Sequence, residues 1–145
     1  MNMRRQGELE YVETELRVRY AETDQMGVVH NANYFVWFEV GRVAWCEARG
    51  FSYREMEGDD DHYLMVAESN CRFKAPARFD DTILIRTAVL SATEKVIRFT
   101  YEIFEKKSRV LLATGETAHV VTDKSFRPTR LPARYHRYFP IRGKR

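Results

Sequence analysis

No apolar run in this 145-residue chain reaches the length of a membrane span, which takes roughly 18 residues. The opening stretch MNMRRQGELEYVE has two arginines but no apolar segment behind them, so it reads as neither a signal peptide nor an anchor. Cysteine is scarce. Cys46 and Cys71 both lie inside apolar periodic segments, and two cysteines make no disulfide framework. No Cys/His spacing resembles a zinc site, so no metal is expected. The pair reads as buried free thiols in a cytoplasmic protein. No glycine-rich phosphate loop, internal repeat or low-complexity linker appears, which leaves one domain over residues 1–145, with a core of about 15–124 and a tail of 125–145.

What is present is globular: 44% of residues are hydrophobic and 31% charged. The net charge of +3 is unevenly spread. Residues 125–145, SFRPTRLPARYHRYFPIRGKR, hold seven Lys or Arg and no acid, so the other 124 residues carry 17 − 21 = −4. Such a tail is either a solvated arm or a surface for an anionic ligand or partner.

The periodicity supplies the elements. In Glu15 to Ala21, Leu16, Val18 and Tyr20 alternate with polar residues, a strand with one wet face. NYFVWFEVGRVAWCEARG follows a glycine-containing loop and reads as a helix of about 16 residues, roughly 25 Å long. Asn31 or Asn33 is its candidate cap, and Gly50 fits the position just past its end. Its apolar residues nearly encircle it, which predicts a buried helix. Then come YLMVAESNCRFKA, stopped by Pro76, DTILIRTAVLSA, EKVIRFTYEIFEK and RVLLATGETAHVVTD. Short links between the later runs suit antiparallel hairpins. One strand, one long helix and four strands predict an α+β domain: a curved five-stranded antiparallel sheet around a central helix. Gly115 marks a bend in the last strand or a close backbone approach.

Between the first strand and the helix stands TDQMGVVHNANYFVWFE. An acid, a glycine, a histidine and two asparagines packed against a buried helix are costly unless they serve a purpose. The arrangement resembles the hotdog-fold acyl-CoA thioesterases, and within them the 4-hydroxybenzoyl-CoA thioesterase family. The resemblance rests on Tyr20, Thr23-Asp24, Gly27-Val28-Val29, Ala32-Asn33-Tyr34 and Phe38-Glu39, with Ala75-Pro76, Asp80-Asp81 and Arg127-Pro128 further on. It implies that Asp24 is the catalytic carboxylate and that backbone amides at the helix start polarise the thioester carbonyl. It also implies a homodimer joined edge to edge, often paired again into a homotetramer, with the site at the subunit interface. Many family members read Val-Val-Tyr-His-Ala-Asn-Tyr, whereas this chain reads Val29-His30-Asn31-Ala32-Asn33-Tyr34. Asn31 therefore stands where histidine is usual, and a histidine role at that position does not transfer.

Thioester hydrolysis needs an attacking oxygen and stabilisation of the developing oxyanion. The candidate catalytic set is Asp24, as nucleophile or general base, with Asn31, His30 and Gly27. Helix-start amides have no intrahelical partner and sit at the positive end of the helix dipole. Candidate substrate contacts are Tyr20, Asn33, Tyr34 and Thr117, with Arg72, Lys74 and Arg78 for phosphate. Glu39 is expected to pair with Arg42, and His119 to be structural. Coenzyme A enters as part of the substrate, so no separate cofactor is expected. The alternatives are a hydrolase of acyl groups on acyl carrier protein, and a non-enzymatic binder of anionic surfaces or nucleic acid through the tail. Nucleic acid is not the expected partner.

Overall fold

The computed structural model describes residues 9–58 and 60–142. The strands are β1 (Val12–Arg17), β2 (Tyr63–Phe73), β3 (Thr82–Ala92), β4 (Val96–Glu105) and β5 (Leu111–Thr122), and the helices are α1 (Ala32–Ala48) and the short α2 (Tyr53–Gly58). All strand pairs are antiparallel, in the order β1-β3-β4-β5-β2. Alternation in β4 works as expected: Ile97, Phe99, Tyr101 and Ile103 are all fully buried. The first strand is displaced from its expected span. It ends at Arg17, and a 3-10 turn over Tyr20–Glu22 takes Tyr20 out of the Leu16–Val18 row, leaving it 76% exposed.

The helix lies on the sheet as predicted but is not buried all round. Tyr34, Trp37, Phe38, Trp45 and Cys46 face the sheet and are buried, whereas Phe35, Val36, Val40 and Val43 remain 36–47% exposed. A single sheet offers only one face, so the far side of an encircled apolar helix is left uncovered by the described residues. Phe38 stacks on Tyr101 with ring centroids 4.3 Å apart. The close approach marked by Gly115 is to this ring. A Cβ there would lie 2.3 Å from Phe38 and 2.7 Å from the Asn70 carbonyl, so only glycine fits.

Through Arg142, the tail is docked rather than solvated. Thr129 N–H donates to the Val121 carbonyl and Leu131 N–H to that of Glu94. Leu131, Tyr135 and Phe139 are buried. Phe139 stacks on Trp45 at 5.5 Å and meets Phe51 edge-on at 5.3 Å, so the tail closes the core at the C-terminal end of α1. Four of the five arginines in residues 125–142 are engaged through their side chains: Arg127 with Asp123, Arg130 with Glu94, Arg134 with Asp60, and Arg137 with the Tyr138 hydroxyl. The free basic arm that a nucleic-acid reading needs is therefore not there in residues 125–142. The last three residues of the tail lie outside the described set.

Candidate active site

The loop between the 3-10 turn and α1 folds back on itself. Asp24 N–H donates to the Val28 carbonyl at 2.8 Å, Gly27 N–H donates to the Asp24 carbonyl at 2.9 Å, and Thr23 bridges Val29. Gly27 turns the chain with φ +81, a conformation that costs glycine little. One oxygen of the Asp24 carboxylate, Oδ1, accepts from Met26 N–H at 2.8 Å and Val28 N–H at 3.4 Å. No hydrogen bond to Oδ2 occurs among the described residues. The carboxylate is held by one side and open on the other.

The helix start differs from expectation in a way that bears on chemistry. Asn31 precedes the first helical residue, but its side chain caps nothing. His30 does that work: its Nδ1 accepts from Ala32 N–H at 3.1 Å, so in the neutral ring the proton sits on Nε2. Asn33 N–H donates to the His30 carbonyl and Tyr34 N–H to that of Asn31. His30 N–H reaches the Glu22 carbonyl at 2.8 Å. Among the amides of residues 30–34, only Asn31 N–H makes no hydrogen bond with the described residues. A vacant N–H at a helix start is a natural donor to a developing anion.

Glu22, which nothing in the local sequence marked, holds this arrangement. It is 5% exposed. Its Oε1 accepts from Arg19 N–H at 2.8 Å and its Oε2 from the Trp37 indole N–H at 3.1 Å. The largely exposed Arg19 guanidinium lies 3.5 Å from Oε2. The Asn33 amide donates to the Glu22 carbonyl at 3.0 Å, so Asn33 ties the helix start to the turn. Tyr34 is buried beneath, against Trp37 at 4.8 Å and Phe73 at 5.1 Å. Burial raises its phenol above the ordinary value, opposed by the Ala77 backbone.

The other candidates separate into two places. Tyr20 leads into the loop and meets exposed Phe79 edge-on at 5.7 Å. Arg78 bridges Val28 through its backbone; Arg72 and Lys74 flank Phe73, the ring that touches Tyr34. The side chains of Arg72, Lys74 and Arg78 are exposed, and none has a carboxylate within 4.0 Å among the described residues. Thr117 lies elsewhere, 3% exposed within the core. Its hydroxyl contacts the Tyr101 hydroxyl at 2.6 Å and His119 Nε2 at 2.9 Å, and Arg42 donates to Tyr101 at 3.1 Å. Arg42 is therefore turned inward and makes no ion pair with Glu39, contrary to the i,i+3 pairing expected of them. Burial, then the Arg42 charge, pulls His119 down to about 4 against the Leu64 backbone, which keeps the ring neutral.

Neither cysteine is a thiolate. Burial pushes Cys46 up to about 12 and half-buried Cys71 up to about 11. Among the described residues no three His, Cys, Asp or Glu side chains converge on a metal-sized site, and no helix is long and apolar enough to cross a membrane.

A curved sheet cradling one long helix, with an acid-bearing loop at the open helix start, defines a hotdog domain of the thioesterase type. Residues 18–138 match the Thioesterase-like superfamily, and the chain belongs to that superfamily. It is 36% identical over 115 residues to a Bacillus subtilis protein provisionally named acyl-CoA thioesterase YneP, spanning 79% of this chain and 82% of that one. It is 29% identical over 127 residues to the acyl-acyl carrier protein thioesterase ATL3 of Arabidopsis thaliana, spanning 88% of this chain and 66% of that one. The crystal structure of a DHNA-CoA thioesterase from Staphylococcus aureus superposes with a TM-score of 0.79 at 34% identity, covering 90% of this chain and 84% of that one.

Proposed function

We propose that this protein hydrolyses the thioester of an acyl-CoA to the free acid and CoA, with Asp24 supplying the attacking or activating oxygen and Asn31 N–H polarising the carbonyl. The observation that carries this reading is the pairing, on one short loop, of a carboxylate with one oxygen unbonded and a helix-start amide unpartnered among the described residues. The thioester carbonyl oxygen lies against Asn31 N–H, where the helix dipole favours the charge that develops on it. Asp24 either attacks the carbonyl carbon, expelling the CoA thiolate and leaving a mixed anhydride for water to cleave, or takes the proton from a water that attacks instead. Both routes use the same two groups, and the thiolate leaves without strong general-acid help. His30 holds the helix start rather than transferring a proton. Tyr20 and Tyr34 border the acyl-thioester site, and exposed Arg72, Lys74 and Arg78 receive the CoA phosphates.

The active unit is a homo-oligomer. Support comes from two uncovered apolar features. β2 is an 11-residue edge strand with Met65, Val66 and Phe73 exposed, and the outer stripe of α1, Val36, Val40 and Val43, borders an open groove of about 400 Å³. Long apolar edges are rarely left unpaired. The other edge, β1, is short and presents Glu13, Glu15 and Arg17 outward. Two copies joined along β2 form the dimer, and two dimers form a tetramer.

A second reading is hydrolysis of acyl groups on acyl carrier protein, favoured by the Arabidopsis relative and the unpaired cations near the loop. Parallel kinetics on acyl-CoA and acyl-carrier-protein thioesters separate the two. The chemistry is tested with purified variants on an acyl-CoA panel. Asp24→Asn loses at least ~10²-fold in kcat. Asn31→Pro removes the vacant N–H at a residue whose φ of −56 suits proline and loses ~10²-fold or more, whereas Asn31→Ala keeps the N–H and loses less. Near wild-type turnover in folded Asp24→Asn would refute the mechanism.

A further inference from the structure

We infer that Glu22 is the positioning residue of this site: its carboxylate sets the spacing between the Asp24 carboxylate and the Asn31 N–H. This rests on the reading of Asp24 and Asn31 given above. Both reacting groups lie on segments that Glu22 anchors. Asp24 follows it by two residues, at the exit of the 3-10 turn that the Glu22 side chain closes through Arg19 N–H. Asn31 follows His30, whose own N–H is bound to the Glu22 carbonyl, and the Asn33 amide binds that same carbonyl. Glu22 Oε2 then reaches 15 residues ahead to the indole of Trp37, on the buried face of α1. One residue thus holds both ends of the loop and fastens them to the helix. Val29 N–H, bound to the Ala77 carbonyl, and the Val28–Arg78 bridge hold only the loop's far side.

The chemistry specifies a carboxylate. All three groups that face Glu22's side-chain oxygens, Arg19 N–H, the Arg19 guanidinium and the Trp37 N–H, are donors. A buried acid survives here because each oxygen accepts from at least one of them. Glutamine has the same shape, but in either orientation its NH₂ faces a donor, so one anchor fails. The loop then shifts against the helix start without losing its own internal bonds. Displacement by a fraction of an ångström leaves substrate binding largely intact and spoils the alignment on which turnover depends.

The experiment compares wild type, Glu22→Gln, Trp37→Phe and the double variant, each shown folded by circular dichroism. We measure kcat and KM on the best-hydrolysed acyl-CoA, the Kd of its non-hydrolysable thioether analogue, and the two indole N–H resonances by ¹H–¹⁵N NMR. Trp45 Nε1 has no hydrogen-bond partner among the described residues, so the two peaks are distinguishable. Glu22→Gln is expected to lower kcat about 10- to 100-fold, with KM and Kd within about threefold, and to move the Trp37 peak but not that of Trp45. Trp37→Phe lowers kcat less, and the double variant is no worse than Glu22→Gln because both act on one contact. A folded Glu22→Gln that keeps kcat within threefold of wild type, or that loses kcat and binding in parallel, overturns the proposal. If Glu22→Gln does not fold, Trp37→Phe decides: kcat down at least threefold at unchanged KM supports it, and unchanged kcat overturns it. The NMR readout needs no turnover. A wild type that hydrolyses no thioester therefore refutes the proposed function, while an unmoved Trp37 peak in Glu22→Gln refutes the anchor itself.

Discussion

Removing residues 125–145 is the obvious way to ask whether the basic tail holds phosphate, and the fold predicts that it will instead take away much or all of the protein's stability. Leu131, Tyr135 and Phe139 are each at most 4% exposed. Burying a side chain of this size contributes roughly 1.5–3 kcal/mol, so the three together contribute about 6 kcal/mol. Trp45 and Phe51 would also lose the rings that cover them. A domain of this size is stable by only about 5–15 kcal/mol, so the truncated chain loses a large part of its stability and, toward the low end of that range, all of it. Urea unfolding followed by circular dichroism and tryptophan emission is the assay. The full chain should unfold cooperatively, and the truncated one should be less stable by about 6 kcal/mol or show no cooperative transition. The arginines behave differently. Arg130 and Arg134 pair with acids at the surface, and replacing either by alanine should cost under about 1 kcal/mol. A truncated chain that unfolds cooperatively within about 2 kcal/mol of the full one would refute the docking argument. Any phosphate role for the tail is therefore measured with point variants of its arginines, as changes in KM.

Two further predictions concern the histidines. His119 protonates near 4 in the folded chain and near 6.5 in the unfolded one, so the unfolded state binds more protons between these values. Stability from this group is complete above about pH 6.5 and is lost as pH falls toward 4. Between pH 7 and 5 the wild type should lose about 2 kcal/mol more than His119→Asn in urea titrations, and equal losses would show the ring is not held neutral. His30→Asn should keep most activity, because an asparagine oxygen can take the Ala32 N–H. His30→Ala should lose about 1 kcal/mol of stability with little change in kcat. A 10²-fold loss of kcat in folded His30→Asn would give the imidazole a chemical role instead.

The residues alone determined the elements and their kind. Alternation at Ile97, Phe99, Tyr101 and Ile103 and the largely apolar segment after Asn33 are properties of consecutive residues, and period and length suffice to read them. The spacing from Asp24 through Tyr34 located the loop and the helix start for the same reason. Tertiary structure decided what depends on distant partners. β2 pairs with β5 rather than with its neighbour in sequence, because pairing is set by how the sheet closes over α1. Glu22 looks like any turn acid until Trp37 meets it 15 residues later. The tail looks solvated until Phe139 finds Trp45 across 94 positions. The encircled helix looks wholly buried until the sheet is seen to cover one face. Which helix-start amide stays vacant was also beyond local reading, since it depends on His30 taking one N–H and Glu22 another. Local pattern records what a segment prefers; burial and hydrogen-bond satisfaction are settled only between segments, where desolvation makes each unpaired group costly.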